Sequence, residues 1–255
     1  MELIYFIIAL LATTLGTMTG LGAGVIIKPL LDTFAHFDLS TTGLLSSFAV
    51  FFMAIVSTIK QWKVGFKFEK RLYVISAGAI MGGIIGNLLF GKFLLIVPED
   101  IGKAIQALIL ALLLIMVIFR SKLPHFHIKN LIATFIIGII LGTIASFLGI
   151  GGGPFNVAVL IMFFAMDIKK AAINSVFIIL LSQFSKLLTI LITTGFSSYN
   201  LKMLWFMIPA SIIGGHMGTK LNHHISSEKI HKIFILLVIL MVALNVYNAI
   251  EFLFL

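Results

Sequence analysis

The stretches GLGAG at residues 20–24 and GIGGG at residues 149–153 decide the fold. Each lies inside a long run without a charged residue, Leu3–Ile27 for the first and Asn130–Met166 for the second. About 20 apolar residues are enough to cross the hydrocarbon of a bilayer as a helix. A glycine cluster breaks such a helix, and broken backbone at membrane depth is tolerated only where it is buried in protein or lines a polar cavity. The sequence therefore predicts a membrane protein with two interrupted helices.

The composition supports the same fold class. Of the 255 residues, 60% are hydrophobic and 11% are charged, whereas soluble domains carry about 25% charged residues. The loops between the apolar runs are short and leave no room for a soluble domain. The first apolar run lacks a preceding basic region, so we expect it to be retained rather than cleaved as a signal peptide. We predict an all-α integral membrane protein that crosses the bilayer several times.

Several function classes are excluded by what the chain contains. The net charge of +9 comes from basic residues in loops, where they act as orientation signals, so nucleic acid is not an expected partner. Because there is no cysteine, thiolate metal sites and disulfides are excluded. We predict no metal and no cofactor. Motifs of intramembrane enzymes are missing, and we identify no acid at membrane depth that could act as a base.

The two halves of the chain repeat each other with an offset of about 129 residues. Acidic and hydroxyl residues match along with the glycines: Asp38 matches Asp167, Ser46 matches Ser175, and Glu99 matches Glu228. Matches among glycines and acids are harder to obtain by chance than matches among apolar residues. The predicted division is a first repeat at 1–120, a cytoplasmic linker at 121–129 and a second repeat at 130–255.

Each half is predicted to hold one glycine-broken segment followed by three transmembrane helices. The repeats are parallel if the broken segment crosses the membrane, and inverted if it folds back as a hairpin. The hairpin arrangement leaves only Lys92, Lys103 and Lys202 of the loop cations outside, whereas the crossing arrangement divides the cations almost evenly. The positive-inside rule therefore favours inverted repeats. The basic loop Lys60–Arg71 is then cytoplasmic, and we expect it to lie against lipid headgroups.

The geometry of the hairpins places both glycine tips near the middle of the membrane. Val25 to Ala35 is 11 residues, or about 16 Å of helix, roughly half of the hydrocarbon thickness. Two half-helices, the second beginning at Pro154, then point their free N–H groups at one central spot, which favours a small anion. The alternative is that the glycines only permit close helix packing. We favour packing for residues 82–86 and 214–218, and a binding site for the tips.

The two tips also carry a family resemblance. Residues 22–30, GAGVIIKPL, and residues 149–155, GIGGGPF, resemble the glycine signatures of the TauE/SafE sulfite-exporter family, and the resemblance covers the whole chain. It implies transport of sulfite or of another sulfur-containing or organic anion across the bacterial cytoplasmic membrane. The chain departs from the family pattern at Ala23, where a third glycine is common, and at Ala158, which stands opposite Pro29 in the repeat.

Polar residues inside the apolar runs are the remaining site candidates. Ionisable groups in a bilayer cost about 2.5–3.5 kcal/mol each on insertion scales. Lys186 lies midway along Ala171–Leu201 and shares one helix face with Ser175, so its ammonium could neutralise an anion at the tips. Lys28 either faces the same anion or reaches toward the outer surface. The predicted substrate site comprises Gly22, Ala23, Gly24, Lys28, Ser46, Gly151, Gly152, Gly153, Asn156, Ser175, Gln183 and Lys186.

His216 has two interpretations. It could carry a proton in coupled transport, or it could be hydrogen-bonded within a packing seam of glycines. For the whole chain we predict a secondary carrier of a small anion, with an anion channel of the same architecture as the alternative and an intramembrane enzyme as a weaker one. The expected partners are the anion and membrane lipid. A homodimer is compatible with the sequence, which does not determine the oligomeric state.

Overall fold

The chain folds as a bundle of α-helices. The structure, a computed structural model, describes residues 2–34, 36–119, 128 and 130–254, and within these ranges no strand occurs. Seven of the described helices are long and apolar enough to cross a membrane, which confirms an all-helical integral membrane protein. The described helices are α1 (Glu2–Thr19), α2 (Gly24–Phe34), α3 (Leu39–Lys63), α4 (Lys70–Ile96), α5 (Glu99–Ile118), α6 (Leu131–Leu148), α7 (Gly153–Phe164), α8 (Ile168–Thr193), α9 (Leu204–His224) and α10 (Ser227–Phe254).

Both glycine-broken segments fold back on themselves. After the first tip, α2 returns to the end of the bundle where α1 begins, because the hydroxyl of Tyr5 lies 2.8 Å from Nδ1 of His36. In the second segment the backbone N–H of Ile128, just before α6, donates to the carbonyl of Phe163 at the end of α7 at 3.1 Å. The tip backbone is left-handed at several glycines, among them Gly20 and Gly149, a conformation that glycine adopts without steric cost.

Helices that correspond between the two halves run in opposite directions where they pack together. Along α3 and α8, Ser47 contacts Lys186 and Phe51 stacks on Phe184, so the two helices are antiparallel. The start of α5 likewise lies at the end of α10. The packing of α1 on α9 has its counterpart in the packing of α6 on α4. An inverted duplication requires these directions. The inverted repeat and the division at 1–120 and 130–255 stay predictions, and the linker 121–129 lies outside the described residues apart from Ile128.

Glycines outside the tips bring pairs of helices into backbone contact. A Cβ atom at Gly82 of α4 would overlap the carbonyl oxygen of Ile139 on α6, and one at Gly214 of α9 would overlap the hydroxyl of Thr13 on α1. Small residues of this kind let transmembrane helices approach closely. The packing interpretation therefore holds for these glycines.

Matching aspartates begin the helices that follow the two hairpins. Asp38 caps α3 by accepting from the backbone N–H of Thr41, and Asp167 caps α8 by accepting from that of Lys169. Burial alone would raise the pKa of Asp38, but hydrogen bonds from Ser40 and Thr41 outweigh it and the pKa is lowered. The capping carboxylates stabilise the starts of the two long helices.

The antiparallel course of α3 and α8 gives a topology prediction. The segment Lys60–Arg71 runs from the last turn of α3 to the start of α4, and the loop Gly195–Lys202 follows α8, so the two segments lie at opposite ends of the bundle. Reporter fusions in the two loops are expected to report opposite faces of the membrane, with the Lys60–Arg71 loop in the cytoplasm. Finding both reporters on one face would contradict the inverted arrangement.

Candidate functional site

The two glycine tips meet inside the bundle. A Cβ atom at Gly153 would overlap the carbonyl oxygen of Leu21, and one at Gly24 would overlap that of Ile150. The hydroxyl of Ser175 donates to the carbonyls of both tips, to Gly20 at 2.8 Å and to Gly153 at 3.3 Å. The tips are thus held together by direct backbone contact and by one hydroxyl from α8.

A cavity of about 620 Å³ lies beside this junction. It starts at Gly149, the first glycine of the second tip, and runs between α3, α4 and α8 to the end of the bundle where α4 and α8 finish. Exposed residues there, such as Lys92 and Thr193, form its mouth. The lining residues are Lys28, Leu39, Ser40, Gly43, Leu44, Asn87, Leu88, Phe90, Gly91, Lys92, Leu94, Leu95, Gln106, Ser146, Phe147, Leu148, Gly149, Lys186, Ile190, Thr193, Thr194 and Tyr199.

The charged side chains in the described cavity wall are all lysines. Lys28 and Lys186 lie deep in it, 4% and 3% exposed, and Lys92 stands at the mouth. None of the described residues that line the cavity is an aspartate or a glutamate. Buried charges are normally paired, so this lining favours a negatively charged occupant.

The two deep lysines differ in their hydrogen-bond partners, because only one of them has an acidic partner among the described residues. The ammonium of Lys28 forms an ion pair with Asp32 at 2.7 Å. The ammonium of Lys186 donates to the hydroxyl of Ser47 at 2.8 Å, and that hydroxyl donates to the carbonyl of Gly43. None of the ion pairs among the described residues includes Lys186. An anion in the cavity would supply the missing counter-charge.

Uncharged polar groups complete the deep end. Nε2 of Gln106 donates to the carbonyl of Phe147 at 2.8 Å. Oε1 of Gln106 and the hydroxyl of Ser146 are buried without a hydrogen-bond partner among the described residues. Unpaired buried polar atoms are costly, so these two groups are available to a bound solute or to water. The rest of the wall includes six leucines and two phenylalanines, whose apolar side chains limit competition from bulk water.

Comparison with known proteins agrees with this geometry. The family model described as Sulfite exporter TauE/SafE matches residues 5–245. The chain belongs to the TauE/SafE sulfite-exporter family. A curated relative is the "Probable membrane transporter protein YunE" of Bacillus subtilis (strain 168), 24% identical over 277 aligned residues that cover 97% of this chain and 98% of the relative. No solved structure matches the chain. Family and relative together indicate a membrane transporter, a class that is generally not enzymatic.

In this TauE/SafE chain the two lysines singled out from the sequence lie in one cavity. Lys28 had two open interpretations, and the structure turns its side chain into the cavity beside Gly149, whose added Cβ would lie 3.4 Å from Cδ of Lys28. Lys186 reaches the same space from α8. That these lysines bind substrate stays a prediction.

The tip glycines, apart from Gly149, pack together and do not line this cavity, and their binding of the anion stays a prediction. They were expected to open onto the anion, but close packing of the two tips takes up the space beside them, and the N–H of Gly22 already donates to the carbonyl of Gly16 at 3.2 Å. Only Gly149 of the two tips lines the cavity. The predicted residues that do not line it are Gly22, Ala23, Gly24, Gly151, Gly152 and Gly153.

The remaining polar candidates also lie outside the cavity wall. Ser175 bonds the tips, as described above. Ser46 and Gln183 are fully buried, and neither the hydroxyl of Ser46 nor either amide atom of Gln183 has a hydrogen-bond partner among the described residues. Oδ1 of Asn156 also has no hydrogen-bond partner among the described residues, and it lies next to Gly152. Gln183 adjoins Gly151, so Asn156 and Gln183 lie beside the second tip rather than in the cavity wall.

His216 lies neither in the cavity nor in the glycine seam. Its side chain is exposed on α9, and Nζ of Lys60 lies 3.3 Å from its Nε2 and donates to its carbonyl at 2.9 Å. The seam interpretation is corrected by this exposure, because the glycines on either side face α1 and α3 while His216 points away from them. Proton coupling through His216 stays a prediction, and its position beside the end of α3 separates it from the cavity mouth.

Sequence reasoning missed three groups at the site. Ser47, rather than its neighbour Ser46, is the hydrogen-bond partner of Lys186. Gln106 is a lone amide in the apolar run 104–119, a signal that could have marked it. Asp32 is a buried acid, 6% exposed, in the last turn of the hairpin helix α2, and the sequence did not single it out. Its spacing of four from Lys28 could have indicated the pair.

Proposed function

We propose that this chain is a secondary transporter that moves a small anion, sulfite or a related sulfur-containing or organic anion, across the cytoplasmic membrane by alternating access. The observation that carries the proposal is the cavity with two buried lysines and no carboxylate among its described lining residues. The family and the YunE relative support transport as the activity. The cationic lining supports an anion as the cargo.

The position of the cavity supports an outward-open state. Its mouth lies at the end of the bundle that carries Lys92 and the Gly195–Lys202 loop, which the positive-inside rule assigns to the outside. The packed tips form the closed inner end, or floor, of the cavity and block the route to the opposite face of the membrane. In our proposal the two halves rock against each other about the tips, so that the floor opens while the mouth closes. The unpartnered amide of Gln183 and the hydroxyl of Ser46 would then meet the anion.

Reconstitution tests the function directly. Purified protein in liposomes is expected to move sulfite, or another member of a panel containing thiosulfate, sulfonates and carboxylates, faster than protein-free liposomes. The rate is expected to saturate with concentration. If no anion of the panel moves faster than in protein-free liposomes, the proposed function is wrong.

An anion channel of the same architecture is the second candidate, and counterflow separates the two. Liposomes preloaded with unlabelled anion are expected to accumulate labelled anion transiently, because a carrier exchanges one bound solute for another. A channel gives saturating or non-saturating flux without this overshoot. The closed floor at the packed tips favours the carrier.

Gly43 provides a test of the cavity as the transport path. An added Cβ at this position meets nothing within 4 Å, and Gly43 lines the cavity on α3. Gly43→Phe is expected to fill the cavity and lower anion flux about tenfold or more, the equivalent of about 1.4 kcal/mol of lost binding. The matched control is Gly43→Ala, which fits the same space and is expected to keep its flux. Equal flux in the two variants would show that the anion takes another route.

A further inference from the structure

Asp32 is the acid that the proposed mechanism has left without a role. It is 6% exposed on α2, and its Oδ2 accepts from the ammonium of Lys28 at 2.7 Å. Its second oxygen, Oδ1, is buried and has no hydrogen-bond partner among the described residues. The two other ion pairs of the same spacing are more open to solvent: Glu99 beside Lys103 is 47% exposed, and Glu228 beside Lys232 is 76% exposed.

Lys28 stands between Asp32 and the cavity. Its side chain lines the cavity, whereas Asp32 does not. An anion that enters the cavity and Asp32 therefore compete for one ammonium group. A buried carboxylate that loses its counter-ion is strongly disfavoured in the ionised form.

We propose that Asp32 is the proton-accepting group that couples anion binding to proton uptake, an inference that rests on the proposed function. A divalent anion takes over the ammonium of Lys28, and the freed carboxylate of Asp32 takes one proton from water and becomes a neutral carboxylic acid. Lys28 stays protonated throughout. No covalent bond other than the new O–H bond forms, and no electron is transferred.

The charges indicate which anions require the proton. With Lys28 and Lys186 as ammonium ions and Asp32 ionised, the deep end carries one net positive charge, which one monovalent anion balances. With Asp32 protonated it carries two, which one divalent anion balances. The proposal therefore assigns uptake of one proton to each divalent anion bound, whereas a monovalent anion binds without it.

The other ionisable groups near Lys28 and α2 offer two rival acceptors. One is Lys186, which shares the cavity with Lys28 and has no ion-pair partner among the described residues; proton uptake that persists in Asp32→Asn would assign the proton to it. The described part of α7 has no ionisable side chain, and those of α3 lie at its far end, at Lys60 and Lys63. On α10, Glu251 follows Asn248 by one turn, and Asn248 donates to the carbonyl of Pro29 on α2. Oε2 of Glu251 is buried without a partner among the described residues, so Glu251 is the acid to distinguish from Asp32.

The remaining ionisable neighbours of α2 are hydrogen-bonded, ion-paired or exposed. Tyr5 of α1 is hydrogen-bonded to His36, and the other ionisable group of α1, Glu2, is exposed at its start. Asp38 before α3 accepts from Ser40 and Thr41. On α5, Lys103 and Glu99 pair with each other.

Thiosulfate binding measured calorimetrically in buffers of different ionisation enthalpy tests the proposal. Thiosulfate stays divalent near neutral pH, so any proton taken up belongs to the protein. We expect the full-length wild-type protein to take up about one proton per thiosulfate and its apparent affinity to fall about tenfold for each unit by which the pH rises. Methanesulfonate, which is monovalent, is expected to bind without proton uptake.

Variants assign the proton. Asp32→Asn is expected to bind thiosulfate without proton uptake and with little pH dependence, and a pH gradient is expected to lose its effect on flux in liposomes. Glu251→Gln and the exposed-pair control Glu228→Gln are expected to keep both. If Asp32→Asn does not fold, Asp32→Ser, which keeps Lys28 and a polar side chain, is expected to bind thiosulfate with the same loss of proton uptake.

Each outcome decides one question. Three results would overturn the role of Asp32. The wild type could bind thiosulfate without taking up a proton, Asp32→Asn could keep the proton uptake, or Glu251→Gln could lose it. Failure of the wild type to bind or move any anion would instead overturn the proposed function.

Discussion

Lys186→Met is expected to lower anion flux at least about 30-fold, because losing one partner of a buried charge interaction costs about 2 kcal/mol or more. Lys186 is 3% exposed in the cavity, and its ammonium has a hydroxyl of Ser47 beside it rather than a carboxylate. The bound anion is therefore its counter-ion in our proposal. Methionine keeps the length and the apolar stem of the side chain, so packing along α8 is preserved. Lys186→Ala is expected to have the same effect on flux.

The matched control for Lys186 is Lys92→Met at the mouth of the same cavity. Lys92 is exposed, and exposed charges contribute about 1 kcal/mol or less because water and salt screen them. Flux in this variant is expected to fall less than about fivefold, the equivalent of that energy. Flux is measured in liposomes after the inserted amounts have been matched. Normal flux in correctly inserted Lys186→Met would remove the lysine from the mechanism.

Gly153→Ala is expected to have the largest effect on stability. Its Cβ would overlap the carbonyl oxygen of Leu21 at the junction of the tips, and backbone on both sides cannot move without separating the hairpins. Overpacking costs about 1–3 kcal/mol and occasionally more, and we expect the upper end here. The measurement is thermal unfolding of the purified protein in detergent.

The control for the tip junction is Gly43→Ala. Gly43 and Gly153 both lie on helices of the bundle, but an added Cβ at Gly43 meets nothing within 4 Å. Alanine there is expected to keep or slightly raise the unfolding temperature, since glycine inside a helix costs about 1 kcal/mol relative to alanine. Equal unfolding temperatures for Gly153→Ala and wild type would mean that the tips are not in contact.

Local features of the chain could be predicted because they depend on near neighbours in sequence. The 11-residue return helix was expected from Val25 to Ala35, and α2 runs over Gly24–Phe34. Pro154 was expected at the first helical position, and α7 carries it in its first turn. Glycine, proline and hydropathy act within a few residues, so a broken helix and its restart are visible without coordinates.

The candidate site was predicted only in part because it is assembled across helices. The spacing of Ser175, Ser182 and Lys186 at seven and four residues placed them on one face of α8. Ser175 nevertheless reaches the tips, whereas Lys186 reaches the cavity. Helix periodicity gives a direction around one axis, but it does not say which neighbour lies there. The roles of Ser47 and Gln106 depended on such neighbours.

The sequence by itself determined the membrane-embedded helical class, the two glycine-broken hairpins and the cationic character of the polar residues at depth. These follow from hydropathy, chain stiffness and charge, which belong to each segment alone. Only the tertiary structure decided that the tips pack against each other, that the open space lies beside them at Lys28 and Lys186, and that Asp32 shares one of those lysines. Where space remains between close-packed helices depends on how distant side chains interlock, and that is a property of the assembled bundle.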